Sequence, residues 1–242
     1  MTDVDWNAAL KPLLKQYKGR KHPLDYGNAY QLVVMVILSA QDSDRHINSL
    51  APDFFAKYPD MKALAKADEA ALLKELKSVR GAGNKVKWLR AIAAQLKDDR
   101  NIPTSMDELT ALPGIGRKSA NVILRELGTK AEGIMVDLHV VRVAPRLGIA
   151  TGSDPKKIEQ QLMDVVDRKQ WGEVGMAMSF LGREICRPTN PKHVECVMSP
   201  VCAYCREHGG NCEKEGREAQ GAPEVAAKPK GKSKAAKRKP VG

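Results

Sequence analysis

Residues 112–121 read Leu112-Pro113-Gly114-Ile115-Gly116-Arg117-Lys118-Ser119-Ala120-Asn121. A short helical pattern, Met106 to Ala111, arrives at this stretch, and Pro113 ends it: proline lacks an N–H and pushes the residue before it out of the helical region. Gly114 and Gly116 permit a tight turn and let another backbone come close. The next helix starts at about Arg117, so its free N–H groups and the positive end of its dipole are open to a phosphate. Arg117 adds charge at the same place. The stretch is a helix-hairpin-helix, about residues 107–127, a device that holds DNA backbone without reading sequence.

Working outward, helical spacing of apolar residues recurs on both sides. It predicts helices over Asp5–Tyr17, Asp44–Tyr58, Met61–Leu76, Lys85–Leu96, Ser119–Leu127, Val136–Leu147, Asp154–Val166 (with Ser153 as N-cap) and Glu173–Cys186. Tyr30–Ala40 is nearly all apolar. Its β-branched residues suit a buried strand, whereas its place between helices suits a buried helix. Strand signals are otherwise scarce, so the fold class expected is all-α. Glycine turns near Gly81 and near Gly114 look like distant copies of one hairpin. From Glu213 to Gly242 the chain is rich in Gly, Ala, Pro and Lys, and disorder is expected.

The 242 residues carry a net charge of +11. Seven basic residues after Ala226, with no acidic one among them, supply +7 of it and leave about +4 for the body. A basic balance points to a polyanionic partner, and the tail adds affinity that falls with salt. Aromatic residues are 5% of the chain, which argues against recognition by a broad stacking platform. Met1–Leu10 is acidic and lacks the apolar run of a signal peptide, and Leu32–Leu38 is far too short to span a bilayer. An intracellular protein with no membrane partner is expected. Its cysteines, Cys186, Cys196, Cys202, Cys205 and Cys212, then point to a metal centre or free thiols over disulfides.

Four stretches together resemble the endonuclease III family of the helix-hairpin-helix DNA glycosylases: the hairpin 112–121, Val136-Asp137-Leu138-His139, Ser39-Ala40-Gln41-Asp42-Ser43-Asp44, and Gly182-Arg183-Glu184-Ile185-Cys186 with the cysteines after it. The resemblance covers roughly Ala29 to Cys202. It implies double-stranded damaged DNA as substrate, with oxidised pyrimidines removed and the strand then cut, by a chain acting as a monomer. It assigns Lys118 as the nucleophile on the sugar carbon bearing the damaged base. The chemistry agrees, because burial and neighbouring positive charge lower a lysine pKa toward ~7–8, and an amine nucleophile forms a Schiff base that permits β-elimination. It assigns Asp137 as the carboxylate that stabilises the developing charge on the sugar. Asp137 also stands where a helix N-cap belongs; the two roles are compatible, since a capping carboxylate stays ionised. His139 reads as structural.

The same resemblance places Gln41 in the gap left by a flipped nucleotide. Asp44 reads equally as a helix-start residue. Gly114, Gly116 and Arg117 are assigned to the phosphate backbone. The second hairpin, Arg80-Gly81-Ala82-Gly83, departs from the family: no leucine wedge is present, which leaves Arg80 to fill that role or flipping to be weaker. Thr110 stands where the family often has glutamate, and no role is carried over. The family's C-x6-C-x2-C-x5-C spacing, a [4Fe–4S] site, lands here on Cys186, His193, Cys196 and Cys202. His193 as a ligand, Cys205 in its stead, and zinc or no metal are the alternatives, with Cys212 taking part or spare; thiolate preference favours Cys186, Cys196, Cys202 and Cys205.

The implied architecture is two helical lobes. Residues 23–131 form a bundle with the hairpin. Residues 132–212 form a second lobe with the iron–sulfur loop at 186–212, on which the N-terminal helix of residues 1–22 packs. Two rivals are a monofunctional mismatch adenine glycosylase, which needs a residue other than lysine at 118, and a non-catalytic DNA-binding protein that kept the scaffold.

Overall fold

The computed structural model describes residues 4–208, and the basic tail and Cys212 lie outside them. Among the described residues every regular element is helical and no strand is present. No helix among them is long and apolar enough to cross a membrane.

The N-terminal helix comes in two short pieces, α1 (Trp6–Ala9) and α2 (Lys11–Gln16). The break falls at Leu10, immediately before the first turn that carries Pro12, a residue suited to helix starts and not to interiors. The apolar run settles as α3 (Ala29–Leu38), capped by Asn28 and buried at every position from Leu32 to Leu38. A helix that is apolar all round belongs at the centre of its bundle. Around it lie α4 (Asp44–Lys57), α7 (Ala82–Leu96) and α9 (Arg117–Glu126). The helix expected over Met61–Leu76 is two, α5 (Met61–Ala65) and α6 (Glu69–Glu75), because Asp68 caps a new start with its carboxylate on the Ala71 N–H. The short helix α8 (Met106–Ala111) precedes α9 and opens with a capping box, in which Ser105 Oγ receives the Glu108 N–H and donates to its carboxylate.

Beyond the hairpin, α10 (Leu138–Leu147) packs against α12 (Trp171–Glu184). α11 (Pro155–Val165) leans on α10, and its cap is Asp154, not Ser153: the Asp154 carboxylate takes the Lys157 N–H. A further short helix, α13 (Ala203–Glu207), closes the described chain on α10. α2 packs on α12, burying Leu10 and Leu13, and Asn7 bonds the backbone at Val165 and Asp167.

Candidate active site and cysteine loop

Gly114 adopts φ +80°, and a Cβ there would lie 2.5 Å from the Trp88 ring, so only glycine fits the turn. Gly116 caps α9 without a side-chain bond, and nothing stands within 4 Å of where its Cβ would be. The first N–H groups of α9 are therefore open to an anion. Arg117 is engaged elsewhere. Its Nε donates to Glu159 of α11 at 2.8 Å, and Asn121 Nδ2 donates to the same buried carboxylate at 3.0 Å. The hairpin is thus fastened to α11 through the arginine expected to meet phosphate.

Lys118 stands in the first turn of α9, exposed to solvent yet with enough protein around its amine to desolvate it. Burial pushes its pKa below the ordinary lysine range; Asp137 and Asp44 pull it up, and Arg183 pushes it down. Asp137 caps α10. One oxygen takes the His139 and Val140 N–H groups, each at 2.9 Å, and the other takes the Ser179 hydroxyl at 2.6 Å. Arg183 and Asp44 form an ion pair at 3.0 Å that joins α12 to α4. His22, buried ahead of α3, is driven down to about 4 by burial and by Lys118, so it is neutral at working pH. His139 is held by packing: a Cβ at Gly182 would sit 2.8 Å from its own Cβ.

The segment before α10 lies unusually close to α12. A Cβ at Gly175 would fall 2.3 Å from the Met135 carbonyl oxygen. Gly175, Ser179 and Gly182 thus face Met135, Asp137 and His139 in turn. The spacing i, i+4, i+7 puts the three small residues on one helix face. This track sets the depth and direction of the Asp137 carboxylate.

Gln41 lies between α3 and α4, exposed, at φ +61°. Arg80 is exposed at the second hairpin, and Gly81 at φ +71° starts α7. No atom stands within 4 Å of a Cβ at Gly81 or Gly83, so this tip is open. His22, Ser179, Glu159, Asp42 and Lys85 all take part in this region, and His22, Ser179 and Glu159 lay in no motif that singled them out. Only the small-residue spacing of α12 was a usable signal.

The cysteines expected to bind a metal lie together. Cys186 follows α12, Cys196 follows a single 3-10 turn, Cys202 precedes α13 and Cys205 is within it. All four are free thiols. Cys186, Cys196, Cys202 and His193 line one cavity with Arg146, Leu181 and Tyr204, and the charge of Cys205 reaches both Cys196 and Cys202. Burial raises the Cys196 thiol, and it raises Cys202 to about 11. Arg146 donates to the Cys186 sulfur at 3.5 Å, and the Met198 and Cys205 N–H groups point at Cys196 and Cys202. Buried thiols with N–H donors aimed at them suit thiolates held by a metal centre. Among the described residues, no three His, Cys, Asp or Glu side chains converge as a single metal ion requires, while Cys186, Cys196 and Cys202 line the same cavity. The residues present fit a thiolate-ligated cluster. His193 Nε2 is buried there without a hydrogen-bond partner.

Residues 34–168 match the family model described as HhH-GPD superfamily base excision DNA repair protein. The endonuclease III of Synechocystis sp. is 35% identical over 192 residues, covering 78% of this chain and 88% of that protein. The endonuclease III of Bacillus subtilis is 34% identical over 187 residues, covering 76% and 84%. A solved structure of a trapped endonuclease III–DNA covalent intermediate superposes with a TM-score of 0.75 at 29% identity, over 84% of this chain and 96% of that one. A thermostable thymine-DNA glycosylase, 20% identical, shares the fold with a TM-score of 0.69. With the family model spanning more than half of it and relatives above 30% identity over most of their length, this chain belongs to the endonuclease III family of the HhH-GPD superfamily.

Proposed function

We propose that the chain is a bifunctional DNA glycosylase and abasic-site lyase that removes oxidised pyrimidines from duplex DNA and cuts 3′ to the site. The observation that carries this reading is Lys118: an accessible amine, held below the ordinary lysine pKa, at the N-terminus of the hairpin's second helix and within electrostatic reach of Asp137. The lysine nitrogen attacks the sugar carbon bearing the lesion, and the base departs. Asp137, fixed by two N–H groups and the Ser179 hydroxyl, stabilises positive charge on the sugar as it develops. The resulting Schiff base acidifies the neighbouring sugar proton, and its loss expels the 3′ phosphate. The hairpin's uncapped N–H groups hold the backbone, with Gly114 and Gly116 permitting the approach and Arg117 set beside it. Gln41 and Arg80 occupy the duplex where the nucleotide has left.

Cys186, Cys196, Cys202 and Cys205 are the residues that would hold a [4Fe–4S] cluster, because cluster irons favour thiolate over imidazole. Bound there, it ties down an otherwise irregular loop and so orders Arg187 and Lys192 for the DNA backbone.

Borohydride trapping tests the reading on duplexes carrying an abasic site or an oxidised pyrimidine. Wild type is expected to crosslink and nick both, and Lys118→Ala to do neither. A wild-type protein that binds DNA without crosslinking would mean that the scaffold has been kept for another purpose.

A further inference from the structure

Two segments far apart in sequence are proposed above to enter the duplex: the Gln41 turn and the Arg80 tip. The structure ties them together on both sides of Gln41. On the C-terminal side is Asp42, whose side chain is only 11% exposed. One carboxylate oxygen takes the Arg80 N–H at 3.0 Å. The other takes its neighbour Ser43 N–H at 2.8 Å and the His46 ring nitrogen Nδ1, also at 2.8 Å. The far nitrogen of that ring reaches the Ser78 hydroxyl at 3.2 Å, on the approach to the same tip. On the N-terminal side, the buried Lys85 of α7 donates to the Leu38 and Ala40 carbonyl oxygens at 2.8 and 2.7 Å.

Gln41 itself makes none of these bonds. It sits in the left-handed region at φ +61°, which costs a non-glycine residue free energy unless its surroundings enforce it. Here the residues on either side enforce it, and both anchors come from residues 78–85. Burial pushes the Asp42 carboxyl up, but the Arg80 N–H, the His46 ring and the Ser43 N–H outweigh that and hold it at about 2. Its charge is therefore committed to this junction throughout the working pH range. A small apolar residue in place of Asp42 would leave the Arg80 N–H without this partner.

We propose that Asp42 is a positioning residue that locks the Gln41 turn and the Arg80 tip into one rigid insert for the duplex. The inference rests on the functional reading above. It also accounts for a tip that lacks a bulky wedge: with Gly81 and Gly83 at its end, the tip has little apolar surface to push with, and stiffness takes the place of bulk. A preorganised insert loses less ordering entropy on entering the helix than two loose loops do.

The test compares two substrates in one preparation: a duplex with an oxidised pyrimidine opposite 2-aminopurine, and a single strand with an abasic site, which has no opposite strand to fill. Asp42→Ala is expected to lower the ratio of duplex to single-strand turnover by roughly tenfold to hundredfold, the cost typical of a small misplacement. It is also expected to slow the 2-aminopurine fluorescence rise that reports unstacking. Asp42→Asn, which still accepts from Arg80, is expected to recover most of the ratio. Ser78→Ala, a milder cut in the same tie, is expected to move it in the same direction by less. An unchanged ratio overturns the inference, whether both activities persist or both fall together. A wild-type protein inert on both substrates overturns the functional reading and the inference with it.

Discussion

At Lys118 two effects oppose each other. Burial and Arg183 favour the free amine, whereas Asp137 and Asp44 favour the ammonium form. Arg183 acts twice, once directly and once by neutralising Asp44 in the 3.0 Å pair. Arg183→Gln removes both contributions, and both changes raise the lysine pKa. The acidic limb of the single-turnover trapping rate should therefore move to higher pH. A limb that stays in place would show that Arg183 does not tune the amine. His22 on the same side stays neutral and adds no charge of its own. Lys118 and Asp137 could be singled out from the sequence because each lies in a short contiguous motif. His22 was not, because it comes to Lys118 from almost 100 residues away, and a lone histidine in a polar connection carries no signal of that.

At the scale of elements, α12 acts as a ruler for the Asp137 carboxylate. Gly175→Ala places a methyl group 2.3 Å from the Met135 carbonyl oxygen, where backbone has to move. A loss of about 1–3 kcal/mol in unfolding free energy is expected, as for other overpacked sites, together with slower trapping as Asp137 shifts. Gly172→Ala in the same helix is the control. Its Cβ would make an ordinary 3.7 Å contact with Ala131, so both quantities should stay within error. Equal behaviour of the two variants would remove the ruler. Most helices were legible from apolar spacing, and the misread places share a cause. Asp68 and Pro12 each start a new helix inside a continuous apolar pattern, because periodicity records which face is buried and not whether the backbone is unbroken. Tyr30–Ala40 lacked any periodicity to read, since Leu32 to Leu38 are buried at every position.

Across the whole molecule, distant segments are fastened at the Asp44–Arg183 pair, at Arg117–Glu159, and where Arg125 bonds both the Arg20 carbonyl oxygen and Glu173. The cysteine loop follows α12. Cys205→Ser is expected to lose the visible absorption and most of the bound iron of the purified protein, whereas His193→Ala keeps both. The reverse pattern would assign the fourth ligand to His193. Sequence spacing alone left that choice open, because His193 occupies the family position and Cys205 does not. The ties between distant segments were illegible for another reason. Each joins charged residues that look like ordinary solvated side chains until the fold brings them together.

The N-terminal helices pack against late parts of the chain, α2 on α12 and Asn7 bonded to residues 158 and 160 positions further along. As the chain leaves the ribosome, Leu10 and Leu13 therefore emerge well before the surface that will cover them. At ordinary synthesis rates that interval is roughly 8–30 s. Through it the nascent chain carries an apolar segment with no native partner, while the bundle between can already fold. These two helices are thus among the last parts to find their place.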